Sequence, residues 1–189
     1  MIHSLELIEQ IEKLPQTSYD GDVFRTTGLK SDPTASSPSG GRWAIPEHKP
    51  GGFSILYTST ERNGAIAEVA SYLGLLTPIP QKTLRVHTIN VSVKKALRLA
   101  IGDLRSVGID PSRYTERDYE QTQLVGAAMN FLGFDGLLAP SARWACDNLM
   151  IFSNNHSIDE QLTVSSFEDV QYDEWREFAD SVSSAFEDQ

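Results

Sequence analysis

The stretch GLKSDPTASSPSGGRWAIPEHKPGG, residues 28–52, constrains the fold of this chain more than any other. It gathers five of the thirteen glycines and four of the nine prolines. Proline lacks the amide donor that a helix or a central strand uses, and glycine loses backbone entropy in either. The segment therefore reads as one long loop, with VFRT before it and FSILYT after it as apolar strand candidates. Long loops without secondary structure of their own are uncommon inside a domain, and they are usually functional or disordered. This one carries a bulky pair, Arg42-Trp43, behind two glycines.

The remaining segments show helix or strand periods. Ser4 is placed to cap a first helix with Ile8, Ile11 and Leu14 on one face. A strand is expected around residues 23–26 and another over 53–58. A helix capped by Ser59 or Thr60 follows, with Ala65, Ile66, Val69, Ala70 and Leu73 as its apolar stripe and Gly74 and Pro78 near its end. Residues 84–93, LRVHTINVSV, are rich in β-branched side chains and read as a strand. Thr115 and Asp118 suggest a capped helix carrying Leu124, Val125, Ala128, Met129 and Leu132, stopped by Gly133. Strands are expected at 135–139 and 148–153. From Ser166 onward an amphipathic acidic helix is expected, with Trp175, Phe178, Val182 and Phe186 on one face. Helices and strands mix without strict alternation, so the fold class is α+β, with a compact mixed sheet and flanking helices. The organisation reads as an N-terminal helix over 1–18, a central domain over 19–158, and an acidic helix over 159–189 packed on that domain.

Charge narrows the function. The net charge of -10 lies in the ends: residues 159–189 hold ten acids against Arg176, and residues 1–18 three acids against Lys13. Residues 19–158 hold 13 acids and 14 bases. This balance argues against direct nucleic-acid binding, which needs positive charge to displace counterions. It leaves room for a local arginine site that takes a small anion. One cysteine, Cys146, allows no internal disulfide and no zinc-finger spacing. His3, His48, His87 and His156 are scattered and suggest no metal site; His87 reads as a strand residue with a satisfied ring. No apolar run approaches the ~18 residues of a membrane span, and the N-terminus lacks the basic start of a signal peptide. A cytoplasmic protein is expected.

Taken singly, the candidate residues have ordinary readings: Arg25 as a solvated strand end, Tyr57 as packing, Glu68 as a helix surface residue, Ser141 as a turn. Together they form an ordered set. FR (24–25), GGRW (40–43), LYTS (56–59), AIAEV (65–69), GFDGLLAPSAR (133–143) and NLMIF (148–152) occur in an order and spacing that resembles the RES-domain family, over about residues 19–158. A departure is Ala44, where that family often has asparagine.

The resemblance implies a fold like that of the ADP-ribosyltransferases, with a cleft for NAD. It implies a toxin of a toxin–antitoxin pair, an NAD-consuming activity by phosphorolysis or hydrolysis, or ADP-ribosylation of a protein, and a partner antitoxin with a Xre-like helix-turn-helix domain. A binding module that has lost turnover is the reading from another class. Inorganic phosphate is a possible co-substrate, no metal is implied, and self-association is possible. On this reading Arg42, Glu68 and Ser141 are the catalytic candidates, and Arg25, Trp43, Tyr57 and Asn148 the NAD-binding ones. Arginine holds phosphate through a planar fork, so Arg42 is the first choice for a phosphate contact and Arg25 the second. Tyr57 offers a ring face to the cationic nicotinamide, and Trp43 anchors the loop by packing. Glu68 would stabilise an oxocarbenium-like transition state, bond the ribose hydroxyls or align the attacking group. Ser141 would bind a ribose hydroxyl or a phosphate oxygen, or hold Glu68 or Arg42 in place. It has no histidine base that would make it a nucleophile. Arg143 and Cys146 flank it, with Cys146 read as turn support, and Asn148 is expected to hydrogen-bond to the site.

Overall fold

The computed structural model describes residues 4–157 and 159–187; the side chains of residues 182–187 are outside that description, so the expected contributions of Val182 and Phe186 fall outside the described residues, as does His3. In chain order the elements are α1 (Leu5–Lys13), β1 (Gln16–Thr27), β2 (Ile55–Ser59), α2 (Arg62–Leu73), β3 (Thr83–Arg98), α3 (Glu120–Phe131), β4 (Gly136–Pro140), β5 (Asp147–Phe152), β6 (Leu162–Gln171) and α4 (Tyr172–Glu187). Residues 28–52 contain no helix or named strand, as their proline and glycine content predicts; one isolated bridge joins Ser37 to Ile55.

The sheet order is β1-β2-β5-β4-β3-β6, with a further pairing of β1 to β3, so five strands close on themselves and β6 adds to the outside of β3. β3 and β4 run parallel and the other pairs antiparallel, which makes the α+β sheet mixed, as expected. Side chains alternate across the sheet with period two. Leu149 and Ile151 face inward with Val23, Leu56, Ile89, Val91 and Leu138, one or more from each closing strand. Met150 and Phe152 face outward into a second cluster with Trp43, Val125 and Met129, where α3 covers the sheet. A third cluster packs Ile66 of α2 against Leu84, Tyr172 and Trp175.

Several boundaries depart from expectation for identifiable reasons. Ser4 does cap α1, accepting from the Leu7 amide at 3.5 Å. Ser59 and Thr60 do not cap α2: Ser59 ends β2 and donates to Asn148 Oδ1, and Thr60 donates to the Asp147 carbonyl. Glu61 holds the cap position without a side-chain bond. The Thr115–Asp118 capping box is also absent. Asp118 pairs with Arg113 and accepts weakly from the Glu120 amide at 3.3 Å, and α3 begins at Glu120. Gly133 stops the segment after α3 with φ +72°, a conformation that favours glycine.

The largest correction is at the C-terminal end. Residues 162–171 were expected to lie partly in a helix from Ser166, but they form β6, paired antiparallel to β3 from Leu162↔Val91 to Gln171↔Thr83. Val164, Phe167 and Val170 recur every three residues and mimic a helical stripe. The open edge of β3 supplies backbone partners that outweigh this local pattern. The helix starts only at Tyr172.

Candidate active site

The ends of neighbouring strands meet at one place. In the ladder, Phe24 of β1 stands opposite Ser59 of β2, Ser59 opposite Asn148 of β5, and Asn148 opposite Ala139 of β4. Arg25 follows Phe24, Ser141 follows β4, and α2 starts just after β2. This register brings Arg25, Tyr57, Ser59, Asn148 and Ser141 to a common rim, with Glu68 above them on α2. Arg25, Tyr57, Ser59, Asn148 and Glu68 line a cavity of about 280 Å³ that is also walled by Arg42, Trp43, Tyr72, Tyr114, Tyr119 and Arg143, and Ser141 is tied to it through its bond to Glu68.

Glu68 is held by two donors. The Ser141 hydroxyl and the Asn148 amide nitrogen both donate to Glu68 Oε1, each at 2.8 Å. Asn148 is oriented in turn by Ser59, whose hydroxyl donates to Asn148 Oδ1 at 2.9 Å. Ser141 Oγ accepts from the Arg143 and Trp144 amides at 3.1 and 3.3 Å. A hydroxyl has one donor and two acceptor positions, so this network uses all three. Ser141 thereby holds Glu68 Oε1 in place. Both donors lie on Oε1, and Oε2 makes no hydrogen bond among the described residues.

The arginine loop is held just as firmly. Gly40 adopts φ +73°, and a Cβ there would meet the Ala44 carbonyl at 2.6 Å. A Cβ on Gly41 would meet the Tyr57 hydroxyl at 2.7 Å. The two glycines thus let the loop fold tightly over Tyr57, whose hydroxyl accepts from the Trp43 amide at 3.2 Å. Gln123 donates to the Gly41 carbonyl at 2.9 Å and Thr122 to the Arg42 carbonyl at 2.5 Å, tying the loop to α3. Trp43 is 2% exposed and packs against Tyr114 at 6.3 Å between ring centroids.

Arg42 donates from Nη1 to the Tyr114 carbonyl and from Nη2 to the Glu116 carbonyl at 3.2 Å. Its guanidinium lies 4.8 Å from the ring centroids of both Tyr114 and Tyr119. Arg25 donates from Nη1 to the Pro33 and Ala35 carbonyls at 2.9 and 2.6 Å. Burial lowers the Arg25 pKa from its ordinary value, with nearby Asp32 opposing that. Carbonyls are neutral acceptors, so neither arginine loses its charge to its anchors. Burial pushes the phenols of Tyr57 and Tyr114 up, which keeps both rings neutral at ordinary pH. Tyr72 is raised by burial first and then by the Tyr119 phenol. Burial also raises the Cys146 thiol. Its sulfur lies 3.3 Å from Ser59 Oγ, in a turn closed by the Ser141 amide donating to the Cys146 carbonyl at 2.8 Å.

All seven residues singled out from the sequence line this site or bond to a residue that does. Three aromatic walls were missed. Tyr72 lies one helical turn beyond Glu68, a spacing that puts both on one face of α2. Tyr114 and Tyr119 come from a segment without local periodicity. They are brought in by Arg42 and by Arg117, which donates to the Ser71 carbonyl at 2.6 Å and stacks on Tyr72 at 4.4 Å. His87 is only half satisfied: Nε2 lies 3.0 Å from Thr27 Oγ1, but buried Nδ1 has no partner among the described residues. Among the described residues no group of three or more His, Cys, Asp or Glu side chains could hold a metal ion.

The RES domain matches residues 15–173. The chain belongs to the RES domain family. The match runs from the start of β1 to the start of α4, so it includes every strand of the sheet. The RES domain here has the fold of a chain in the crystal structure of the M. tuberculosis MbcT–MbcA toxin–antitoxin complex, with a TM-score of 0.77. The two are 22% identical, and the alignment covers 92% of this chain and 97% of that one. No curated protein sequence matches the chain.

Proposed function

We propose that this RES domain is the toxin of a toxin–antitoxin pair and that it cleaves the nicotinamide–ribose bond of NAD. The observation that carries the reading is the Glu68 carboxylate, clamped on one oxygen by Ser141 and Asn148 at the wall of a cavity that also holds Arg25 and Arg42. In the reaction the C1′–N bond breaks and its electron pair leaves with the pyridinium nitrogen, giving neutral nicotinamide. Positive charge develops at C1′. A carboxylate fixed beforehand stabilises that charge without reorganising. Water or inorganic phosphate then forms the new C1′–O bond and gives up a proton. The leaving group needs no strong acid, which suits a site without a catalytic histidine.

Arg25 and Arg42 offer their charge to the pyrophosphate or to an attacking phosphate, and Tyr57 a ring face to the nicotinamide. Trp43 supports the wall from behind. Fold likeness to a chain of a toxin–antitoxin complex supports an antitoxin partner for this chain; that the partner is of the Xre-like helix-turn-helix class and that the toxin acts on cellular NAD in the cytoplasm is what the resemblance of its motifs to the RES family implies.

The test is to incubate the purified protein with NAD, with and without phosphate, and to follow nicotinamide and the ADP-ribose product by mass. Phosphate-dependent release with a phosphorylated product means phosphorolysis; release without phosphate means hydrolysis. Glu68→Gln keeps the shape and removes the charge, and is expected to lower release by about 10²–10³-fold. No release by the wild-type protein in either condition would overturn the reading.

A further inference from the structure

Four arginines elsewhere in the fold pair with carboxylates. Arg62 bonds Glu168, Arg85 bonds Asp169, Arg98 bonds Asp147, and Arg113 bonds Glu116. Arg25 and Arg42 are tied to loop carbonyls. Arg143 is different. It is half-buried and lines the cavity, and its guanidinium makes no hydrogen bond or ion pair among the described residues. A partly desolvated cation without a partner is costly, and a ligand anion would offset that cost.

Its backbone position is fixed from two sides. The Arg143 amide donates to Ser141 Oγ, the hydroxyl that itself donates to Glu68. The next residue, Trp144, packs against Trp175 of α4 at 6.0 Å between ring centroids. The turn is therefore pinned beside the proposed cleavage site, and its side chain is left for the ligand. Among the residues lining the cavity, Glu68 is the one acid, against Arg25, Arg42 and Arg143. That excess of positive charge fits a ligand group carrying two negative charges.

We propose that Arg143 is a substrate-binding residue that grips the diphosphate of the ligand, with Arg25 and Arg42 as the anchored walls around it. The proposal rests on the NAD reading for the identity of the ligand, but the anion site can be tested without turnover. Binding of inorganic pyrophosphate and of ADP-ribose is measured by titration calorimetry on the wild-type protein and on Arg143→Ala, Arg143→Gln and Arg143→Lys. Unfolding midpoints confirm that each variant is folded. Arg143→Ala and Arg143→Gln are expected to bind both probes at least about tenfold more weakly, the loss of a charge-assisted bidentate contact. Arg143→Lys is expected to fall between, because a point charge keeps the attraction and loses the fork.

Wild-type affinity in the Ala and Gln variants would overturn the proposal, as would failure of the wild-type protein to bind pyrophosphate. Nicotinamide release is followed in parallel. Pyrophosphate binding that depends on Arg143, with no release from NAD, keeps the anion site and removes the NAD reading. Release from NAD with Arg143-independent binding does the opposite.

Discussion

Two aromatic residues show how little regular secondary structure says about burial. Trp43 lies in a loop of 25 residues without a helix or named strand, yet it is 2% exposed. Phe167 lies in the middle of β6, a strand laddered to β3 on both sides of one bulge, yet it is 59% exposed. The loop is rigidly placed because side chains serve its backbone: Gln123 and Thr122 bond its carbonyls, Tyr57 takes its amide, and Arg25 bonds the Pro33 and Ala35 carbonyls. β6 satisfies its backbone on one edge but leaves Phe167 largely open to solvent, with ring contacts to His87 and Arg85 across the ladder. Strand pairing and side-chain burial are separate sources of order, and the loop brings Arg42 and Trp43 to the candidate site with the second and without the first.

The most severe way to break this contrast is Trp43→Ala. It removes a large side chain from a cluster shared with α3, and it is expected to cost about 3–5 kcal/mol, read by denaturant unfolding. A cost under about 1 kcal/mol would mean that the loop is held by its hydrogen bonds alone. Phe167→Ala sharpens the contrast from the other side. It should cost less than about 1 kcal/mol, since it loses only exposed area and one cation–π contact. The same denaturation experiment decides it, and a cost equal to that of Trp43→Ala would erase the distinction.

The smallest effect concerns pH. Burial lowers the pKa of His87, beneath Phe167, with Arg85 and Arg25 adding to the shift and Asp169 opposing it. The unfolded chain takes up a proton near pH ~6.5, whereas the folded chain resists it. The contribution of His87 to stability is thus full above that value and lost as pH falls toward the lower folded pKa. His87→Gln is expected to flatten the decline of the melting temperature between about pH 7 and pH 5. An unchanged slope would place the acid sensitivity of that range in another group.

Much of the candidate site was legible in local signals. Arg42 stood out as an arginine behind two glycines, and Glu68, Ser141 and Asn148 through their order along the chain. Ser4 as a cap and Gly133 as a stop depend on neighbours three or four residues away, and they appear where expected. Tyr72 was legible in principle, at helical spacing from Glu68. Tyr114, Tyr119 and the cavity-facing Arg143 were not. Their positions depend on Arg42 and Arg117 reaching across the fold and on Trp144 packing against α4.

The sequence by itself determined the α+β class, the long irregular loop and the family, because composition, periodicity and motif order are properties of the chain. Only the tertiary structure decided that residues 162–171 pair as a strand, that Ser59 orients Asn148 instead of capping α2, and that the Ser141 hydroxyl donates to Glu68 while accepting from the Arg143 and Trp144 amides. In each case a polar group or an apolar spacing had two possible local uses. The choice was made by a partner that lies far away in sequence and becomes adjacent only when the sheet closes.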